Sequence, residues 1–93
     1  GGDSIDSLLG GTENDSILGG AFGDTIWGGL GSDTIDGGTG NDSVNGDDGS
    51  ASAGDADSIL GGSENDAIYG NGGGDTVDAG SGTDTVLGQD GAD

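Results

Sequence analysis

Apolar residues recur every nine positions, from Leu8 through Ile17, Ile26, Ile35 and Val44, and the spacing resumes at Ile59, Ile68, Val77 and Val86. Each sits in the middle of a triplet with β-branched character, such as Thr25-Ile26-Trp27. Between triplets lie six residues rich in Gly, Asn and Asp, the composition of tight turns. Helix is excluded because glycine recurs too often for a helical turn to persist, each one costing about 1 kcal/mol against alanine. The pattern therefore predicts three-residue strands, x-U-x with U apolar, joined by six-residue turns.

A second series runs in step with the first. Asp6, Asp15, Asp24, Asp33 and Asp42 each precede an apolar residue by two positions, and Asp57, Asp66, Asp75, Asp84 and Asp93 continue the frame. A glycine pair stands ahead of each early aspartate, as Gly1-Gly2, Gly10-Gly11, Gly19-Gly20, Gly28-Gly29 and Gly37-Gly38. Val44 and Ile59 are 15 residues apart where nine is the rule, so six residues have been inserted. The affected stretch, 46–57, has Ala51 and Ala53 where the frame would want Asp and a large apolar residue, and reads as one enlarged turn without an extra strand. The chain thus divides into repeats over 1–45, an enlarged turn over 46–57 and repeats over 58–93.

Composition alone would suggest disorder, since 27% apolar content with a net charge of −19 cannot repay the entropy of ordering. The nine-residue order argues for a fold instead. The chain has no Lys, Arg or His and no Cys, so phosphates of nucleic acid and anionic membranes repel it. The usual general base, thiol nucleophile and Schiff-base amine are missing too, and so are the nitrogen and sulfur ligands that transition metals prefer. Only carboxylates, hydroxyls and backbone groups remain for chemistry. A core with one row of aliphatics per face leaves no room for a pocket with two tuned carboxylates, so no catalysis is expected. No apolar run approaches the roughly 20 residues of a membrane helix, and no basic n-region or apolar h-region opens the chain. Starting at Gly1 without Met, it reads as a piece of something larger.

The unit G-G-x-G-x-D-x-U-x, nearly unaltered in GGLGSDTID (28–36) and GGTGNDSVN (37–45), resembles the RTX nonapeptide of calcium-dependent parallel β-rolls. The resemblance implies an all-β, right-handed parallel β-roll with two nonapeptides per coil, about four and a half coils in all. It also implies calcium between stacked turns, held by Asp6, Asp15, Asp24, Asp33, Asp42, Asp57, Asp66, Asp75, Asp84 and Asp93. Backbone carbonyls of the turns that begin at Gly1, Gly10, Gly19, Gly28, Gly37, Gly61 and Gly70 would complete the ligand set. If 46–57 counts as one turn, Asp6, Asp24, Asp42, Asp66 and Asp84 line one edge and the remaining five line the other. That gives four gaps per edge and about eight Ca2+ ions, a donor set better matched to calcium than to the tight octahedron of Mg2+. Ser4, Glu13, Phe22 and Glu64 depart from the family pattern at its second inner glycine, where positive φ would force strain or a variant geometry. Glu13 and Glu64 are read as solvated charges in preference to extra calcium ligands.

Without cations the aspartates stacked along each edge repel one another, and the few apolar side chains cannot outweigh that. The resemblance implies a switch: unfolded where calcium is scarce, folded outside the cell, after type I secretion. The expected role is a structural calcium-binding repeat of an exported adhesin, surface-layer, filament or toxin-type protein. The alternatives are a C-terminal secretion and folding module of a secreted lipase, protease or epimerase, and, less favoured, an ice-binding adhesin segment. The third strand positions Leu9, Trp27, Tyr69 and Leu87 fall on one sheet face and suggest a contact surface for self-association or for flanking parts of the parent. The ends at Gly1 and Asp93 lack a polar cap, so flanking domains or further coils are expected.

Overall fold

A computed structural model describes residues 1–48 and 54–88. Ala51, Ala53 and Asp93 lie outside the described residues. Among the described residues ten strands follow one another: β1 Gly2–Asp3, β2 Ser7–Gly11, β3 Ser16–Ala21, β4 Thr25–Gly29, β5 Thr34–Thr39, β6 Ser43–Asp47, β7 Ser58–Ser63, β8 Ala67–Tyr69, β9 Thr76–Ser81 and β10 Thr85–Leu87. Odd-numbered strands form one five-stranded parallel sheet in the order β1-β3-β5-β7-β9, and even-numbered strands form the other, β2-β4-β6-β8-β10. The chain alternates between the sheets and returns to each one strand further on, which is the winding of a parallel β-solenoid of about four turns.

The register follows the nonapeptide. Like positions stack on like, Ile17 on Ile35, Ile35 on Ile59 and Ile59 on Val77 in the first sheet, and Leu8 on Ile26, Ile26 on Val44 and Val44 on Ile68 in the second. Partners are 18 residues apart, except that 24 separate β5 from β7 and β6 from β8, because the six inserted residues are accommodated without shifting the pairing. Alternation along each strand turns the U residues inward. Ile26, Ile35, Val44, Ile59 and Ile68 are buried in a single core, with Leu8, Ile17, Val77 and Ala79 packed against it. At the last coil Val86 has no coil among the described residues to cover it, and it is 45% exposed.

The strands are longer than the three residues that the pattern predicts. β3 and β5 run on through their glycine pairs, where Gly20 pairs with Gly38, and β6 extends to Asp47, two residues into the expected enlarged turn. Glycine runs usually signal turns, but here the second glycine of each pair has φ near +107 to +131°, an extended conformation closed to other residues, so the ladder continues through it. The inner-glycine departures resolve two ways. Phe22 and Glu64 adopt positive φ, 78° and 80°, whereas Ser4 and Glu13 are not among the described residues that do. Asn71, which replaces the second glycine of its repeat, takes φ 72°, a conformation asparagine tolerates better than most.

Candidate metal centre

Each frame aspartate from Asp6 to Asp84 is the last turn residue before a strand, so its backbone and side chain lie at the sheet edge between successive coils. There the aspartates form two ladders. The N–H groups of Asp6, Asp24, Asp42 and Asp66 donate to Oδ1 of Asp24, Asp42, Asp66 and Asp84, at 2.8–2.9 Å. On the other edge Asp15, Asp33 and Asp57 donate to Oδ1 of Asp33, Asp57 and Asp75, at 2.8–3.0 Å. The main-chain carbonyls are engaged as well: Asp6, Asp24 and Asp42 accept from the N–H of Thr25, Ser43 and Ala67, and Asp15, Asp33 and Asp57 accept from Thr34, Ser58 and Thr76. Hydrogen bonding thus uses the amide, the carbonyl and one carboxylate oxygen to join coil to coil.

The second carboxylate oxygen is left over. Oδ2 of Asp6, Asp15, Asp24, Asp33, Asp42, Asp57 and Asp66 is buried without a hydrogen-bond partner. Burying so many carboxylate oxygens unpaired is costly, and no Lys, Arg or His exists anywhere in the sequence to compensate them. The glycines show where a compensating group fits. A Cβ built on Gly10, Gly19, Gly37 or Gly61 would fall 2.6–2.8 Å from Oδ2 of Asp15, Asp24, Asp42 or Asp66, and it would also overlap a backbone carbonyl of the next coil. Gly1, Gly28 and Gly70 stand in the same relation to Asp6, Asp33 and Asp75. The missing side chain therefore leaves a cradle in which a carboxylate oxygen and a carbonyl oxygen converge, an all-oxygen donor set suited to a hard cation. No three carboxylates gather into a metal-holding group among the described residues, so such a cradle depends on carbonyls for much of its ligand set.

Burial pushes the carboxyls of Asp33, Asp42 and Asp66 up from their ordinary value, against the lowering effect of the hydrogen bond each accepts. Asp57 is pushed up to about 6, first by burial and then by repulsion from Asp47, Asp75 and Asp33. Each ladder holds its charge at a cost that a proton or a metal ion can relieve.

The structure brings the predicted aspartates together edge by edge as grouped above, with Asp93 outside the described residues. Three contributors go beyond the nonapeptide reading. Gly46, the first residue of the enlarged turn, faces Oδ2 of Asp57 and takes the place of the usual first glycine, eleven residues ahead instead of five. Its glycine-one spacing after Gly37 was the available signal. Asn14, Asn41 and Asn65 accept from the N–H of Ser32, Asn65 and Thr83 one coil on, at 2.8–3.0 Å, so these turn residues also clip coils together. Glu64 accepts from the N–H of Gly40 at 2.7 Å while remaining exposed, and Glu13 is exposed.

The outer faces differ from each other. On the second sheet Leu9, Trp27, Asn45, Tyr69 and Leu87 form one continuous row, beside a row of Ser7, Thr25, Ser43, Ala67 and Thr85, and no charge lies among them. On the first sheet the equivalent row alternates Leu18, Asp36, Leu60 and Asp78.

Two parallel sheets wound by an 18-residue coil, with a carboxylate ladder along each edge, define the protein as a nonapeptide β-roll. The chain belongs to the RTX calcium-binding nonapeptide repeat family, which it matches in four copies over residues 1–21, 18–51 and 52–86. It is accordingly a calcium-binding repeat module, and the family is a structural repeat. No curated protein and no solved structure matches the chain.

Proposed function

We propose that the module folds and stiffens an exported protein by taking up calcium outside the cell, with the ions held between successive frame aspartates on each edge. The observation that carries this reading is the buried Oδ2 left over at turn after turn, each beside a glycine that leaves room for an ion. Asp6, Asp24, Asp42, Asp66 and Asp84 would serve one edge and Asp15, Asp33, Asp57, Asp75 and Asp93 the other, with turn carbonyls from Gly1, Gly10, Gly19, Gly28, Gly37, Gly61 and Gly70, and Gly46 added. A bound divalent ion supplies positive charge where the chain has none. The protein's own part is to hold carboxylate and carbonyl oxygens at one coil spacing and to exclude water from between them.

The role is structural, with no residue assigned to catalysis, and export is in keeping with the habit of the family. Native mass spectrometry at millimolar calcium is expected to show about eight ions per chain, with half-saturation in the 10⁻⁴ to 10⁻³ M range of extracellular modules and little uptake of magnesium. Uptake of only one or two ions, or equal uptake of magnesium, overturns the assignment.

The uncharged face of the second sheet is assigned to contact with a second copy, because elsewhere the chain's charge of one sign opposes close approach. Leu9 is 73% exposed and Trp27 36%, which leaves both available for such contact. Sedimentation of the calcium-loaded chain is expected to show concentration-dependent association that Trp27→Ser weakens. A wild-type chain that stays monomeric at millimolar concentration refutes the contact.

A further inference from the structure

In the pair Asn71-Gly72 the backbone nitrogen of the glycine is poorly shielded, because no Cβ stands beside it to hinder attack on the asparagine side chain. Asparagine is among the thermolabile residues, and such a pair is where it is weakest. Asn71 takes φ 72° at the second-glycine place of its repeat, and Gly72 after it is buried. The N–H of Gly72 donates to Oδ2 of Asp47 at 2.9 Å, and Asp47 is itself fully buried. The nitrogen that would attack is therefore tied to a carboxylate held in the interior, and the negative charge facing it opposes loss of its proton. Asp47 occupies the second-glycine place one coil earlier. It is in register with Gly29 of β4, and the 24-residue offset between β6 and β8 brings Asn71 to the same place on the next coil.

We propose that Asn71 is a deamidation site, protected in the calcium-loaded fold and exposed in the calcium-free chain. In the unfolded chain the Gly72 nitrogen loses its proton and bonds to Cγ of Asn71, ammonia leaves, and a five-membered succinimide results. Water then opens the ring, at the side-chain carbonyl to give aspartate or at the main-chain carbonyl to give isoaspartate. Water is the one other reactant. Either product adds a negative charge one coil from Asp47, whose Oδ1 is already buried with no hydrogen-bond partner, and the sequence has no basic side chain to compensate it. Isoaspartate also lengthens the main chain by one carbon, which disturbs the register of its coil. Chains that linger without calcium thus lose the ability to fold, and the reaction limits the useful lifetime of the unfolded state. Asn45-Gly46, the other Asn-Gly pair, lies within β6 with Asn45 on the outer face, where an added charge meets water and leaves the coil stacking intact.

The inference rests on calcium being what folds the chain, and the experiment separates the two. The full chain is incubated at neutral pH in saturating calcium, in EDTA and in concentrated urea. Circular dichroism follows the fold, and peptide mapping by mass spectrometry places the mass gain of amide-to-acid conversion. Conversion at Asn71 is expected to run about tenfold or more faster in EDTA and in urea than in calcium, because the Gly72 N–H is released only when the fold opens. Asn71→Asp, which carries the charge of the product, is expected to need several-fold more calcium to fold, whereas Asn71→Gly and Asn45→Asp fold at the wild-type midpoint. Equal rates at Asn71 in calcium and in urea overturn the protection, and an Asn71→Asp midpoint equal to that of wild type overturns its consequence. A chain that keeps its β signal in EDTA overturns the calcium reading; faster conversion in urea then supports a site guarded by the fold, and equal conversion overturns it.

Discussion

Adding EDTA to the calcium-loaded chain is expected to abolish its β-sheet circular dichroism, and returning calcium in excess is expected to restore it. The physical ground is that the roll has little else to hold it. Among the described residues only Ile26, Ile35, Val44, Ile59 and Ile68 are buried core side chains, while Asp24, Asp33, Asp42, Asp47, Asp57, Asp66 and Asp75 are buried with them. At tenfold excess over Kd, eight independent sites would contribute about 11 kcal/mol through RT ln(1 + [L]/Kd). That is as large as the whole stability of an ordinary domain, so removing it decides whether the chain is folded. An unchanged β signal in chelator would sink the account.

Acid supplies an independent arm of the same test. Asp57 has its folded pKa pushed up to about 6 from 3.8, and Asp33, Asp42, Asp47 and Asp66 are shifted in the same direction. A carboxyl with a raised folded pKa binds protons more tightly when folded, so its contribution favours the roll as pH falls from about 6 to 3.8 and is fully present below that. In chelator, β structure is therefore expected to increase between pH 7 and pH 4. With calcium present, protons compete for the same oxygens, and more calcium is needed to fold the chain over the same interval. A chelated chain that loses residual β structure on acidification contradicts the ladders.

Much of this architecture was legible in the order of the residues, because a roll repeats one local solution and each copy reports on the others. The stacking of Ile35 on Ile59 across 24 residues was readable from the phase break alone: only an insertion confined to one turn keeps the apolar row continuous. The facing rows Leu9, Trp27, Tyr69 and Leu87 followed from the same register. What the pattern could not supply was the division of labour within Asp24, Asp33, Asp42, Asp57 and Asp66, with Oδ1 spent on the neighbouring coil's amide and Oδ2 left over, since this depends on coil-to-coil distance. Nor did the period distinguish Phe22 and Glu64, which bear positive φ, from Glu13 and Ser4 at the same frame position. Asp47 was hidden for another reason: it lies in the stretch where the repeat lapses, and only burial sets it apart from the exposed Asp48 beside it.

Gly37→Ala is expected to raise the calcium needed for folding and to lower stability at fixed calcium by about 1.5–4 kcal/mol. Gly37, unlike Gly38 with φ 107°, is not in the left-handed region, so alanine suits its backbone and the usual strain of replacing glycine is absent. The effect comes from space. The new Cβ would lie 2.6 Å from Oδ2 of Asp42 and 2.5 Å from the carbonyl oxygen of Gly61, and neither belongs to the flexible end of a long side chain that could swing aside. Forcing them apart costs about 1–3 kcal/mol as overpacking, and the ion that those oxygens would share adds about 1.4 kcal/mol at tenfold excess over Kd. Against this, alanine stabilises by about 0.4–1 kcal/mol through the unfolded chain, which is too little to reverse the sign. Thr39→Ala, two residues along β5 and exposed, changes side-chain size without entering the cradle and serves as the control. Calcium titrations followed by circular dichroism measure both variants. A Gly37→Ala midpoint equal to that of wild type would mean that ions do not sit between Asp42 and the coil of Gly61, and the ladder of sites would have to be placed elsewhere.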